Sequence, residues 1–63
     1  MKNLTAQQLA EHPAFARDVR GARERDYDLR DYSINATLRD YFQNHHGLVL
    51  TYNEVLEAAA LVK

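Results

Sequence analysis

Apolar residues recur along this chain at helical rather than strand spacing. From Pro13 the positions Phe15, Val19 and Ala22 follow an i, i+4, i+7 pattern, with Arg17, Arg20, Gly21 and Glu24 on the opposite side. The next position on that stripe is Asp26, a charge that cannot continue it, so this helix is expected to end near Arg25. A second stripe joins Ile34, Leu38, Tyr41, Phe42 and His45 and runs out at His46-Gly47, where glycine supplies the left-handed closing residue. His45 lies within that stripe and is expected to be a partly buried core or contact residue. A third stripe joins Tyr52, Val55, Leu56, Ala59 and Val62, and the run Ala58-Ala59-Ala60 lets a neighbour approach closely.

Two helix starts are written in the same way. Thr5 is placed to cap the amide of Gln8 while Gln8 reaches back, and Leu4 can clamp on Leu9. The pattern recurs with Thr51 and Glu54 as the box and Leu50 and Val55 as the clamp. Pro13 pushes His12 out of helical geometry and is itself welcome as the first residue of the next helix. The expected fold is therefore all-α. It is a small compact bundle of three main helices, about 13–25, 34–46 and 52–62, plus one short N-terminal helix, about 5–11, in a single domain spanning 1–63.

One tetrapeptide occurs twice, as Leu29-Arg30-Asp31-Tyr32 and Leu38-Arg39-Asp40-Tyr41. In one continuous helix a nine-residue offset is roughly two and a half turns, so the two tyrosines would face opposite sides. The second copy is expected inside a helix begun near Ser33 or Asn35, and the first in the connection before it.

The chain has 63 residues, 46% hydrophobic and 27% charged, which suits a folded domain with a thin core. Such a core rarely supplies more than roughly 3–5 kcal/mol, and with no cysteine the remaining staple is association with a copy of itself or another protein. Eight basic against nine acidic side chains give a net charge of -1, which disfavours nonspecific phosphate binding. No apolar run reaches the length of a signal peptide or a membrane span, so a cytoplasmic location and no membrane contact are expected. Without a secretion signal, the triplets Asn3-Leu4-Thr5 and Asn35-Ala36-Thr37 carry no expectation of glycosylation.

Candidate chemistry is sparse. Arginines at 17, 20, 23, 25 and 30 interleave with acids at 18, 24, 26, 28 and 31, the pattern of a solvated face with mixed ion pairs. His45 and His46 are adjacent and diverge by about 100°, whereas a zinc pair on a helix needs i, i+4 spacing, so no metal is expected. Ser33 lies in no nucleophile elbow, no glycine-rich loop could cradle a phosphate, and Asp26, Asp28 and Asp31 lack material for a dry cleft. The expectation is a chain that is not an enzyme and takes no cofactor.

The aromatics are more informative. Phe15, Tyr41, Phe42 and Tyr52 are expected in the core, which leaves Tyr27 and Tyr32 in a connection among acids and arginines. Tyrosine and arginine are the usual interface anchors, so Tyr27, Arg30, Tyr32, Arg17 and Arg20 are the candidate protein-contact residues. The expected function is that of a small regulatory adaptor acting through protein contacts, with a homodimer as one form of association.

Two family resemblances bear on this. Residues 26–63 resemble a ribbon-helix-helix DNA-binding module, with Tyr27-Asp28-Leu29-Arg30-Asp31-Tyr32 as the strand that pairs across a dimer. Asn35 to His46 would be the first helix, Gly47 the loop glycine, and Thr51 onward the second helix. That resemblance implies a dimeric transcriptional regulator whose base-reading positions fall on Asp28, Arg30 and Tyr32, of which only Arg30 has the usual chemistry. The chain as a whole is also similar to the very short early proteins that lambdoid phages encode between their exonuclease and excisionase genes. The similarity lies in its length, its lack of cysteine and the stretches Ala10 to Arg20 and Arg25 to Tyr32. This second resemblance implies a nonenzymatic accessory that biases lytic against lysogenic growth or acts on the host through a host or phage regulatory protein.

Overall fold

Two threonines open two of the helices, as their spacing requires. In the computed structural model, which describes residues 4–63, Thr5 Oγ1 accepts from the Gln8 N–H at 3.1 Å and Gln8 Oε1 accepts from the Thr5 N–H at 3.0 Å. This box starts α1 (Ala6–Glu11). The matching pair, Thr51 and Glu54, starts α4 (Tyr52–Leu61) with bonds of 3.2 and 2.8 Å. Met1, Lys2 and the Asn3 of the first glycosylation triplet lie outside the described residues.

His12 stands between α1 and α2 (Pro13–Glu24), extended at φ -65° and ψ 122° as a residue before proline should be. Its Nδ1 accepts the Ala14 N–H at 3.2 Å, so the imidazole is the N-cap of α2. The other end of α2 closes without a glycine. Asp26 adopts φ 60°, its N–H bonds the Arg23 carbonyl at 3.2 Å, and the Tyr27 N–H bonds the Ala22 carbonyl at 2.8 Å. These two bonds form a Schellman motif with aspartate in the left-handed position that glycine ordinarily fills.

Helix α3 (Tyr32–His46) begins two residues before the expected position, because Asp31 Oδ1 accepts from Ser33 and Ile34 N–H at 2.9 and 3.2 Å. The two copies of the tetrapeptide thus occupy different settings. Leu29 and Arg30 form a turn, Asp31 is a cap and Tyr32 the first helical residue, whereas Leu38 to Tyr41 lie in mid-helix. Gly47, at φ 67°, ends α3 as expected. Residues 25–26 and 29–30 form turns, Tyr27 and Asp28 between them are irregular, and no strand occurs among the described residues. The segment folds back on itself, with the Asp31 N–H on the Asp28 carbonyl at 3.0 Å.

Helix α1 packs on α2 and α4, and α3 packs on α4. The α2–α3 pair touches where Phe15 meets Phe42 edge to face, with ring centroids 5.7 Å apart. The largest fully buried side chains are Phe15, Phe42, Leu9, Val19, Val55 and Asn35. With so few large groups inside, a polar member matters.

Three expectations about burial need correction. Tyr41 is 37% exposed, and Tyr52 is half-buried because its hydroxyl donates outward to the Arg30 carbonyl. His45 is exposed rather than partly buried, since α3 turns Asn35 and Phe42 inward and so tips position 45 aside. Its ring rests against Tyr41, with centroids 4.5 Å apart. Asn35, the acceptor of the second glycosylation triplet, is fully buried and closed to any glycan.

Candidate functional site

Helices α2 and α3 meet at Phe15 and Phe42 and diverge toward the connection that joins them. Between their open ends lies an apolar cleft of about 480 Å³. Its α3 wall is Ile34, Thr37, Leu38 and Tyr41, Asp18 and Ala22 contribute from α2, and Leu29 and Tyr27 form the end wall. Two tyrosines that sequence periodicity treated differently are therefore placed around one cavity. Tyr27, 54% exposed, is held there by its backbone bond to Ala22. The tyrosine and alanine are the pair whose side chains commonly meet in a Schellman motif.

The cleft opens onto a polar shelf on the outer face of α2 formed by Arg17, Arg20 and Arg25 with Asp18 and Glu24. Arg17 Nε lies 3.7 Å from Asp18 Oδ1, an exposed pair that adds little stability. Arg20 has a structural bond, its Nε donating to the Lys63 carbonyl at 3.0 Å. Arg23, expected on a merely solvated face, donates through Nη2 to the Ala59 carbonyl at 2.9 Å. That carbonyl belongs to the last turn of α4, where a cation also meets the negative end of the helix dipole. Gly21 is half-buried rather than solvent-facing.

Arg30 and Tyr32 lie away from the cleft lining. Arg30 pairs with Asp28 through Nε–Oδ1 at 3.1 Å and Nη2–Oδ2 at 3.0 Å, and its backbone N–H bonds Asp28 Oδ1 at 2.9 Å. Bonds from the Arg30 side chain, then from its backbone, hold the Asp28 carboxyl below the ordinary aspartate value. The same side-chain bond raises the Arg30 guanidinium further above its own ordinary value. Two of the three positions singled out by the DNA-binding resemblance, Asp28 and Arg30, are thus engaged with one another. Tyr32, the third and 69% exposed, stacks on Tyr52 at 6.2 Å between centroids, and the Arg39 guanidinium sits 5.4 Å from the Tyr32 ring centroid.

Beneath this aromatic pair runs a polar network that the sequence did not announce. Asn35 Nδ2 donates to the Leu29 carbonyl at 3.0 Å and the Tyr52 carbonyl at 3.4 Å, and Asn35 Oδ1 accepts from Arg39 Nε at 2.7 Å. Asn35 therefore ties the connection, α3 and α4 together. Arg39 Nη2 is buried with no hydrogen-bond partner among the described residues.

Two of the three histidines meet. The rings of His12 and His46 are 5.1 Å apart, and His46 lies 5.0 Å from Phe42. Among the described residues there is no group of three metal-ligating side chains, and no helix is long and apolar enough to cross a membrane. In comparisons with known proteins, no family model, curated protein or solved structure matches the chain.

Proposed function

We propose that this chain is a small nonenzymatic accessory protein that acts by docking another protein at the α2–α3 cleft. One observation carries this reading: Tyr27, largely exposed, is fixed at the end of an apolar cleft beside an arginine-rich shelf. Aromatic and arginine side chains around a dehydratable pocket are the composition of interaction hot spots. Arg17, Arg20 and Tyr27 border this one face, whereas Arg30 is paired with Asp28 and Tyr32 is stacked on Tyr52. The partner is a host or phage regulatory protein, and the consequence is a shift in phage development or host function.

Affinity capture from host lysate, with excess untagged protein as competitor, tests this. Tyr27→Ala is expected to abolish capture of the competed partner, whereas Tyr32→Ala, outside the cleft, retains it. Undiminished capture by a folded Tyr27→Ala variant would refute the assignment.

A further inference from the structure

The cleft has the dimensions and charge of a receptor for one kind of segment. We infer that its occupant is the apolar face of a short acidic amphipathic helix of a partner protein, which rests on the docking role proposed above. Ile34, Leu38 and Tyr41 line the α3 wall at i, i+4 and i+7. At about 1.5 Å per residue they span roughly 10 Å, the same length over which a helical ligand presents its own i, i+4 and i+7 side chains. A cavity of about 480 Å³ is large enough to take such anchors.

Charge selects the sign of the flanks. The shelf carries three arginines against Asp18 and Glu24, and the cleft adds no other charged residue, so this face is +1 on a chain whose net charge is -1. Acidic side chains along the ligand helix would meet that excess. A second copy of this chain fits less well, because a two-fold pairing of this face with itself opposes two faces of the same sign.

The test is an amide-shift NMR titration of the full chain with two synthetic helical peptides. Both carry leucine at i, i+4 and i+7; one has glutamate on its flanks and the other lysine. The glutamate peptide is expected to bind saturably and at least tenfold tighter, with shifts confined to the second half of α2, residues 27–29 and the first half of α3. Arg17→Gln and Arg25→Gln should each weaken it by about two- to fivefold. Equal or tighter binding of the lysine peptide at these residues overturns the acidic ligand but leaves the docking cleft standing. Binding of neither peptide overturns the ligand inference, and shifts centred outside the cleft overturn both inference and docking site. Sedimentation without peptide should give a monomer; concentration-dependent dimerisation through these residues makes the occupant a second copy and overturns the inference.

Discussion

Replacing Asn35 by leucine tests the packing argument at its most exposed point. The side chain is fully buried and makes three hydrogen bonds, to Leu29, Tyr52 and Arg39. The 3.4 Å bond to Tyr52 is weak and adds little. The bond to the Leu29 carbonyl contributes about 0.5–1.5 kcal/mol, and that from the Arg39 cation sits near the lower end of the ~1.5–3 kcal/mol range, since Arg39 is only partly buried. Leucine recovers some of this by burying more apolar surface. The net loss is about 2 kcal/mol, a large part of the roughly 3–5 kcal/mol available to a core this small. At about 4–8 °C per kcal/mol, the thermal midpoint should fall by roughly 8–16 °C, read by circular dichroism at 222 nm. An Asn35→Leu midpoint equal to or above that of wild type would mean that the polar network is dispensable and the reasoning wrong.

Other perturbations probe the helix ends and the turn. Asp26→Gly relieves a non-glycine residue at φ 60° and should raise stability by about 0.5–1 kcal/mol in urea denaturation, whereas a decrease would contradict the Schellman assignment. Arg23→Met removes the bond to the Ala59 carbonyl and should cost about 1 kcal/mol in the same assay, with no loss contradicting the capping role. Asp28 should titrate below 3.8, the ordinary aspartate value, by carboxyl NMR. Because its folded value is depressed, the Asp28–Arg30 contribution is present above the unfolded value and lost as pH falls through the folded one. Arg30→Gln should return the midpoint toward 3.8, and an unchanged midpoint would remove Arg30 as the cause.

Much of the fold was legible because its boundaries are set by neighbours in sequence. The threonine boxes at 5 and 51, the proline at 13 and the glycine at 47 act within four residues of themselves, so their letters suffice. Asp31 was missed as a cap because it repeats a tetrapeptide whose other aspartate, Asp40, lies in mid-helix. Asp26 correctly ended the apolar stripe, but its left-handed conformation is one that residues other than glycine adopt in only a few per cent of cases, even though aspartate does so more often than most. Asn35 was invisible to hydrophobic periodicity for a different reason. Periodicity scores an amide as polar wherever it lies, and its burial rests on bonds to the Arg39 guanidinium and to the Leu29 carbonyl, the second of which exists only once the connection folds back on α3. Tyr27 was identifiable as a contact residue from its flanking charges, but the cleft beside it depends on the divergence of α2 from α3, which no local pattern encodes.

Under the proposed function, the α2–α3 cleft is where this protein meets its partner. Site-specific photo-crosslinking addresses it directly, with a benzophenone side chain placed at position 27 or, as a control, at Val49, which is 54% exposed and borders neither cleft nor shelf. In cells that express the chain, the account predicts one saturable protein adduct from position 27 and none from position 49. The same adducts from both positions, or none from position 27 in a folded protein, would contradict it.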